Sequence, residues 1–265
     1  MLLKRTIFRY ALFTFLFLFS AVFLAAQSNQ VDLSFNPVPS KEVTSNILFG
    51  DLTLQPDGKV IIFGNYQRGS DEIIGYINRV NPDGSLDSTF NCSACNQMRI
   101  SSVLVQPDGK IIIAGNYKNQ NGSNRALIIR VNPDGSLDSS FTSPFDPNQP
   151  SPGSDTAAKV FAVQPDGKVL VGYRFSIPLF RQEIIYRLNA DGSFDNSFTP
   201  IELTGGRSIS QILNELKLLP DGKILIGGGN TGASSEGFLI RYNSDGTRDA
   251  TFEPPVFSAD IVPGS

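Results

Sequence analysis

The chain has 265 residues, a formal net charge of −3, two cysteines and no histidine. The lack of histidine excludes Ser-His-Asp and Cys-His nucleophilic centres, and two cysteines alone cannot form a four-ligand zinc site. The acidic balance leaves no basic stripe to attract phosphates, so nucleic acid is not an expected partner.

The first 26 residues have the pattern of a secretory signal peptide. Lys4, Arg5 and Arg9 precede an apolar run over 11–26 that ends in two alanines. Sixteen residues fall short of the ~20 that a transmembrane helix needs, so cleavage near Ala26 is favoured over an uncleaved anchor. No cysteine follows the run, which argues against a lipid anchor. We therefore predict a secreted or cell-surface protein, of net charge −6 after cleavage, with no stable membrane span.

Two turn phrases alternate four times along the rest of the chain. The first contains Pro-Asp-Gly-Lys and recurs at 54–59, 105–110, 163–168 and 218–223. The second runs from an arginine to an aspartate, ends three residues later in phenylalanine, and recurs at 79–90, 130–141, 187–198 and 241–252. Successive glycines of the first phrase are 51, 58 and 55 residues apart. A period of this size indicates a repeat architecture.

Each repeat has the composition of four short strands joined by tight turns. In residues 101–141 an apolar stretch precedes the first turn, the run 111–115 follows it, and a β-rich stretch leads to the second turn. Middle runs such as Ile111–Ala114 are apolar without alternation, which predicts strands buried on both faces. We predict an all-β protein: a β-propeller of four four-stranded antiparallel blades, or an open arc or fragment of a larger propeller.

The turn phrases also predict the register of each second hairpin. Three loop residues ending in a left-handed glycine form a hairpin with a bulge. With Pro82, Asp83 and Gly84 in the loop, Arg79 lies opposite Asp87. The same count predicts four structural ion pairs: Arg79–Asp87, Arg130–Asp138, Arg187–Asp195 and Arg241–Asp249. Because every blade carries one, we interpret them as structural and not catalytic.

Both phrases resemble the delta-60 repeat, a β-propeller-type repeat of exported bacterial proteins. The resemblance rests on Gln106–Gly115 and on Arg130–Phe141, and it covers about residues 54–252. It implies an extracellular or surface protein with a propeller fold. The family has no agreed enzymatic activity, so it implies no catalytic residues and no cofactor.

The predicted domain organisation places the repeats between two short flanking segments. The signal peptide (1–26) is followed by a segment over 27–47, in which Asp32–Phe35 has the pattern of a lone outermost strand. Four repeats over 48–252 are expected at about 48–90, 101–141, 159–198 and 212–252, and 253–265 would begin an incomplete further repeat. A fragment of a longer protein is favoured, and a closed four-bladed propeller with a spare strand is the alternative.

The connections that differ between repeats all lie on the rim opposite the Asp-Gly turns, where binding sites are expected. The longest, 142–158, is rich in proline. Polar and aromatic residues near this rim form a candidate ligand-binding set: Asn65, Tyr66, Asn116, Tyr117, Tyr173, Arg174 and Asn230. Tyrosines beside amides suit a sugar or a peptide, and the alternative is that they pack at strand ends. The partner is therefore a glycan or a protein at the cell surface, if there is one.

Three further features complete the functional predictions. Cys92 and Cys95 are expected to form a local disulfide in an exported chain. Calcium is not expected in the Asp-Gly turns, because the EF-hand's bidentate carboxylate is missing, and no other metal is predicted. We predict a non-enzymatic scaffold or binding module. The alternative is a carbohydrate-active enzyme using carboxylates near the central channel, for which Glu42, Asp51 and Glu215 are the nearest candidates.

Overall fold

The computed structural model describes residues 47–68, 72–118, 122–145, 155–177, 180–203, 210–231 and 237–254. All of these belong to one compact unit, Pro37–Ser265. The signal peptide, the Asp32–Phe35 strand, Glu42 and the segment after 254 lie outside the described residues. Within the described residues, no helix is long and apolar enough to cross a membrane.

The described residues form four antiparallel sheets, one per repeat, which confirms the predicted all-β class. The first sheet contains β1 (Ile47–Leu54), β2 (Val60–Arg68) and β3 (Glu72–Val80). The second contains β4 (Arg99–Val105), β5 (Ile111–Lys118) and β6 (Asn124–Val131). The third contains β7 (Asp155–Val163), β8 (Val169–Ile177), β9 (Phe180–Leu188) and β10 (Ile201–Leu203). The fourth contains β11 (Ser210–Leu218), β12 (Ile224–Thr231) and β13 (Gly237–Tyr242).

All eight Asp-Gly turns have the predicted hairpin geometry. In the first turn, the Gln55 N–H donates to the Lys59 carbonyl at 2.8 Å and the Gly58 N–H donates to the Gln55 carbonyl at 3.0 Å. Gly58 has a φ of 82°, and the other seven turn glycines also have positive φ. A left-handed residue closes such a loop most easily when it is glycine, because glycine has no Cβ. This local chemistry fixes where each strand turns back.

The predicted fourth strand of each blade is reduced to a single bridge. Val80 pairs with Leu86, and the chain then turns at once, because the Phe90 N–H donates to the Asp87 carbonyl. The Asp87 carboxylate accepts the Thr89 N–H at 3.0 Å, so that donor is not available to a β ladder. Three sheets therefore have three strands, and only the third gains a fourth strand, β10.

The core of the described residues consists of three clusters, one between each successive pair of sheets. Ile111 and Ile113 belong to the cluster shared with the first sheet, whereas Ile112 and Ala114 belong to the cluster shared with the third. All four side chains are completely buried. The run without alternation thus arises because the second sheet packs on both faces, as the sequence predicted. A third cluster joins the third and fourth sheets, and the described sheets do not close into a ring.

Backbone hydrogen bonds also join successive repeats. Asn91, which follows the closing phenylalanine of the first repeat, donates its N–H to the Asp134 carbonyl of the second repeat at 2.9 Å. The same bond recurs from Thr142 to Asp191 and from Thr199 to Asp245. Each repeat therefore holds the second turn of the repeat that follows it.

Candidate functional site

The structure brings the four predicted Arg–Asp pairs together. Arg79 Nε lies 2.8 Å from Asp87 Oδ2, and Arg130 Nε lies 2.7 Å from Asp138 Oδ2. The pairs of the third and fourth repeats have distances of 2.6 and 2.7 Å. The Asp87 N–H also donates to the Arg79 carbonyl at 2.8 Å, which is the register expected from a three-residue loop.

A lysine from the first turn phrase completes each pair, which the sequence analysis did not anticipate. Lys59 Nζ lies 2.7 Å from Asp87 Oδ2, and Lys110 Nζ lies 2.8 Å from Asp138 Oδ2. The hydrogen bond from Lys59, together with those from Thr89, holds the pKa of the Asp87 carboxyl far below its usual range. Lys110 and Ser140 lower the pKa of Asp138 in the same way.

These lowered pKa values predict how stability depends on pH. A carboxyl whose folded-state pKa is depressed stabilises the fold above its ordinary pKa of about 3.9, and this stability is lost as the pH falls. The chain contains no histidine. The melting temperature should therefore stay nearly constant from about pH 5 to pH 8 and fall steeply below about pH 4. Thermal unfolding followed by circular dichroism across this range measures it, and an unchanged melting temperature down to about pH 2 would contradict the assignment.

Three of the four arginines also reach the repeat that follows them. Arg130 Nη1 donates to the Ala190 carbonyl at 2.5 Å, and Arg187 Nη1 donates to the Ser244 carbonyl at 2.6 Å. Arg79 Nη1 contacts the Pro133 carbonyl in the same manner. The Arg130 guanidinium also lies 5.0 Å from the centre of the Phe141 ring, within cation–π range. The described part of the chain contains no following repeat for Arg241.

The Asp-Gly rim is therefore a joint between repeats. Within each repeat, the two turns also pack against each other. In the first two repeats, Gly58 lies close to Pro82 and Gly109 lies close to Pro133. Every carboxylate of the repeated Asp87-type position is held by a lysine, an arginine and a Ser or Thr of its own repeat. Saturated carboxylates of this kind are structural groups and not ligand-binding ones.

The candidate ligand-binding set is divided by the structure, and Asn65 does not face a ligand. Asn65 is buried, its Nδ2 donates to the Ile100 carbonyl at 2.9 Å, and its Oδ1 accepts the Ile100 N–H at 2.8 Å. Both amide atoms are thus used to hold the first sheet to the second. Its polarity is explained by this contact between sheets.

The other polar residues of the first two repeats are half-buried near the ends of their strands. Tyr117 packs against the core shared by the first two sheets, and Tyr66 and Asn116 are partly covered. Asn230 lies in β12 opposite Gln211, and its side chain is outside the described residues. Tyr66, Asn116 and Tyr117 are therefore only partly accessible to a ligand.

Tyr173 and Arg174 both lie within β8, whereas the sequence had placed Arg174 at the start of a variable connection over 174–181. β8 continues to Ile177, and Tyr173 pairs with Ile184 in its middle. The equivalent residues in the first two repeats are Gly64 and Gly115. A Cβ on Gly115 would overlap the Arg99 carbonyl, because β4 bulges at this point.

The third repeat accommodates Tyr173 by moving its bulge. In β4 the register shifts between Ile100 and Ser102, whereas in β7 it shifts two positions later in the repeat, between Val160 and Ala162. The displaced bulge now lies against Gly172, whose added Cβ would meet Phe161 Cε2 at 2.6 Å. In the first repeat a large residue precedes the glycine (Phe63, Gly64), whereas in the third repeat the glycine precedes the large residue (Gly172, Tyr173). This exchange accompanies the shift of the bulge. The third repeat thus departs from the others in a concerted way.

Tyr173 belongs to a cluster of four aromatic rings that the other described repeats lack. We call Phe145, Tyr173, Tyr186 and Phe194 the aromatic cluster. The Phe145 and Tyr173 rings stack with centroids 4.7 Å apart, and the Phe145 and Phe194 rings meet edge to face at 5.7 Å. Tyr186 lies 5.0 Å from Phe194. Phe194 is 39% exposed, so one edge of the cluster faces solvent.

The aromatic cluster has polar groups beside it. Burial, with the neighbouring Glu202 carboxylate and the Tyr173 hydroxyl, raises the pKa of the Tyr186 hydroxyl, which therefore stays protonated. Glu202 is exposed in β10 and pairs with Ile184 of β9. An apolar ring edge beside a carboxylate and a protonated phenol can bind a molecule that has both apolar faces and hydroxyls.

A second departure lies on the opposite face of the third sheet. Glu183 is buried and pairs with Arg174 Nη2 at 3.2 Å, whereas Arg174 is 46% exposed. The equivalent residues in the other repeats are Gly75, Ala126 and Gly237. Arg174 therefore lies at the surface and forms an ion pair with the buried Glu183 carboxylate.

The sequence analysis did not include Phe145, Tyr186, Phe194 or Glu183 among its candidates. A position-by-position comparison of the four repeats would have found two of them. Phe194 stands where the first two repeats have Leu86 and Leu137, and Glu183 stands where the others have small residues. Phe145 lies in a connection with no counterpart, so only the structure reveals its contact with Tyr173.

The cysteine pair is bonded and lies in the core. Cys92 and Cys95 form a disulfide at the start of the 3₁₀ helix Ser93–Gln97. Both side chains are buried in the cluster between the first two sheets, where Met98 also packs. The pair is thus part of the joint between repeats and not of a surface loop. Among the described residues, no group of three or more carboxylates or cysteines is placed to hold a metal ion.

Asp51 and Glu215 are the two described carboxylates of the enzyme alternative, and each interacts with a residue of its own strand. Asp51 Oδ1 accepts the N–H of its neighbour Leu52 at 2.8 Å. Glu215 lies 3.4 Å from Lys217, and both of these side chains are well exposed. Each carboxylate is engaged locally on a separate sheet.

Several solved structures resemble this fold. A protein of unknown function from Dyadobacter fermentans superposes with a TM-score of 0.51 and 14% identity, over 79% of this chain and 64% of that one. An endo-arabinase from Bacteroides thetaiotaomicron gives 0.47 and 11%, over 88% and 86%. An ulvan lyase of family PL25 gives 0.46 and 11%, over 74% and 55%. At such identities only the fold is comparable, and the chain spans less than two thirds of the first of these proteins.

Sequence comparison gives a family but no characterised relative. No curated protein matches the chain. A family profile described as a β-propeller domain of unknown function, DUF5122, matches four times, at residues 55–90, 106–141, 164–198 and 219–252. These matches cover more than half of the chain and coincide with the four pairs of turn phrases. The chain belongs to the DUF5122 β-propeller family.

Proposed function

We propose that this chain is an exported, non-catalytic binding module whose aromatic cluster binds carbohydrate. The observation that carries the proposal is the stacked ring pair of Phe145 and Tyr173, extended to solvent by Phe194. Sugars present apolar C–H faces that pack on aromatic rings, and their hydroxyls bond to groups such as Glu202 and the Tyr186 phenol. The third repeat alone combines these groups in the described residues.

The repeat architecture supports a binding role over a catalytic one. The Asp87-type carboxylates of the Asp-Gly rim are saturated by lysine, arginine and hydroxyl groups, so they are not available as acids or bases. Among the described residues, Glu202 is the carboxylate that interacts with the aromatic cluster, whereas glycoside hydrolysis generally requires two carboxylates at a fixed separation.

Export is the second part of the proposal, and the signal-peptide pattern and the resemblance to the delta-60 repeat both support it. The protein is expressed from Met1 in a bacterial host, and the culture medium, periplasm and cytoplasm are separated. We expect an extracytoplasmic product that begins at about Gln27 in N-terminal sequencing. Retention of the full chain in the cytoplasm would contradict export.

The binding proposal is tested by paired substitutions at equivalent positions. Phe194→Ala removes the exposed ring of the aromatic cluster, whereas Leu137→Ala removes an exposed apolar side chain at the same position of the second repeat. Binding is measured on a panel of soluble polysaccharides by glycan array and calorimetry. We expect Phe194→Ala to weaken binding about tenfold, equivalent to ~1.4 kcal/mol, and Leu137→Ala to leave it unchanged.

Two results would overturn the proposal. Equal affinities of the Phe194→Ala and wild-type proteins would show that the aromatic cluster is only packed core. Turnover of chromogenic glycosides or release of reducing ends from a polysaccharide would show that the chain is an enzyme, and Asp51→Asn and Glu215→Gln would then be the first variants to assay.

A further inference from the structure

We propose that two copies of this chain associate head to tail, the fourth sheet of one packing on the first sheet of the other. The contact would use the same joint that connects successive repeats within the chain. The two halves of one further joint are present but uncovered, one at each end of the row of described sheets.

The first half is the apolar face of the first sheet. Leu52 is 54% exposed and Leu54 is 67% exposed. Val103 of the second repeat, which occupies the position of Leu52, is 5% exposed because the first sheet covers it. In the fourth repeat the same position is the buried Leu216. The first sheet therefore carries a face built for a neighbouring sheet.

The second half is the outward face of the fourth sheet. Leu225 is half-exposed, whereas Ile61, Ile112 and Leu170 at the same position are completely buried against the next sheet. Arg241 is 25% exposed, compared with 7% for Arg79. Arg79, Arg130 and Arg187 each donate to a carbonyl in the following repeat, and Arg241 has the same orientation toward Asp249.

The two faces are complementary in chemistry as well as in position. The outward face offers leucines and a guanidinium with a donor directed away from its own repeat, and the first sheet offers leucines. Each of the three internal joints combines apolar side chains at these positions with an arginine that contacts a carbonyl of the next repeat, so the described residues contain three examples of the contact. A second copy supplies the missing partner for both faces at once.

The number of copies follows from the number of sheets. A head-to-tail contact uses different surfaces on the two partners, so it either closes into a ring or continues as a filament. The described residues of two copies contribute eight sheets, and propellers usually close with about four to eight blades. We therefore infer a ring of two chains.

The protein is expressed from Met1 and purified after any cleavage of the signal peptide by the host. Its molar mass is then measured by light scattering over a range of concentrations. We expect twice the mass of one chain. Leu52→Asp should return the mass to that of one chain, because it places a charge in the joint. Leu137→Asp is the matched control, since Leu137 is 56% exposed but lies on an internal repeat. This control should keep the doubled mass.

The head-to-tail geometry is tested by mixing. Leu225→Asp damages the outward face of the fourth sheet, so it should also give single chains. A mixture of Leu52→Asp and Leu225→Asp proteins can form one intact joint, and it should yield mixed pairs on cross-linking that neither variant yields alone. If Leu52→Asp does not fold by circular dichroism, Leu54→Lys at the more exposed neighbouring position takes its place.

Three outcomes overturn the proposal. A mass of one chain at every concentration would show that the faces stay open or are covered by the chain itself. Mass that grows with concentration beyond two chains would show an open filament and not a ring. A doubled mass that survives Leu52→Asp and Leu54→Lys would place the contact elsewhere. Saccharide binding by the aromatic cluster is independent of all three.

Discussion

Arg130→Ala should lower the free energy of unfolding by about 3 kcal/mol, because it breaks a buried network at the joint between two repeats. Arg130 pairs with Asp138 through Nε and donates to the Ala190 carbonyl through Nη1. Both members of the pair are buried. Lys110 remains beside Asp138, which keeps the loss at the lower end of the range for broken buried pairs. The melting temperature should fall by about 6–12 °C.

Arg241→Ala is the matched control for this prediction. Arg241 Nε also lies 2.7 Å from its aspartate, Asp249, and its guanidinium lies 4.6 Å from the centre of the Phe252 ring, but it is more exposed and has no following repeat in the described chain. At low protein concentration we expect a loss of only about 1 kcal/mol. Thermal unfolding of both variants under identical conditions measures the difference. Equal losses would show that the contact with the following repeat contributes nothing.

Gly135→Ala should be destabilising by about 3 kcal/mol, the second large effect that the structure predicts. Gly135 has a φ of 89°, which strains any residue with a Cβ. Its position also admits no added atom, because a Cβ would lie 2.6 Å from the carbonyl carbon and oxygen of Asn91 in the preceding repeat. Those atoms belong to the backbone of Asn91, whose N–H donates to the Asp134 carbonyl, so they cannot move without disturbing the joint between the repeats.

Gly109→Ala separates the two causes. Gly109 is in the first turn of the same repeat with a φ of 81°, but a Cβ there would approach only Pro133 Cγ, at 3.5 Å. The backbone strain is the same and the steric clash is absent, so a loss of about 1 kcal/mol is expected. Urea unfolding of the two variants gives both values. If Gly135→Ala were no worse than Gly109→Ala, close packing of successive repeats at this turn would be refuted.

The sequence was sufficient for features that depend on local chemistry. The hairpin geometry follows from five consecutive residues, and this geometry places Arg79 opposite Asp87 without any knowledge of the rest of the fold. The burial of Ile111–Ala114 on both faces was also predictable, because an apolar run without alternation cannot have a solvent-facing side.

Features that depend on contacts between residues distant in sequence, or on a side chain that captures a backbone donor, were not predictable. Lys59 meets Asp87 only because the two turns of a repeat pack side by side, 28 residues apart in sequence. The fourth strand was expected because Leu86 and its neighbours have strand composition, but the Asp87 side chain captures the Thr89 N–H and ends the ladder. A side chain that competes with the backbone for a donor cannot be identified from composition alone.

The candidate site shows the same division. Tyr173 was selected for its chemistry, yet its importance comes from an exchange with Gly172 that moves a bulge in the neighbouring strand β7. Asn65 was selected for the same reason, and its amide is instead used by the backbone of Ile100. Selecting polar and aromatic residues identified side chains that make specific contacts. It did not show whether those contacts bind a ligand or pack the fold.

The uniform joint between repeats has a consequence for how the chain can change over evolution. The hydrogen bonds that recur across it use a backbone carbonyl or an arginine that successive repeats have in common, so these bonds require no specific neighbour. Stability should then be close to a sum of repeat terms and nearest-neighbour terms. A duplication or deletion of one whole coding unit would leave every remaining joint intact. The residues that set the third repeat apart lie together in one such unit, so they would be gained or lost together.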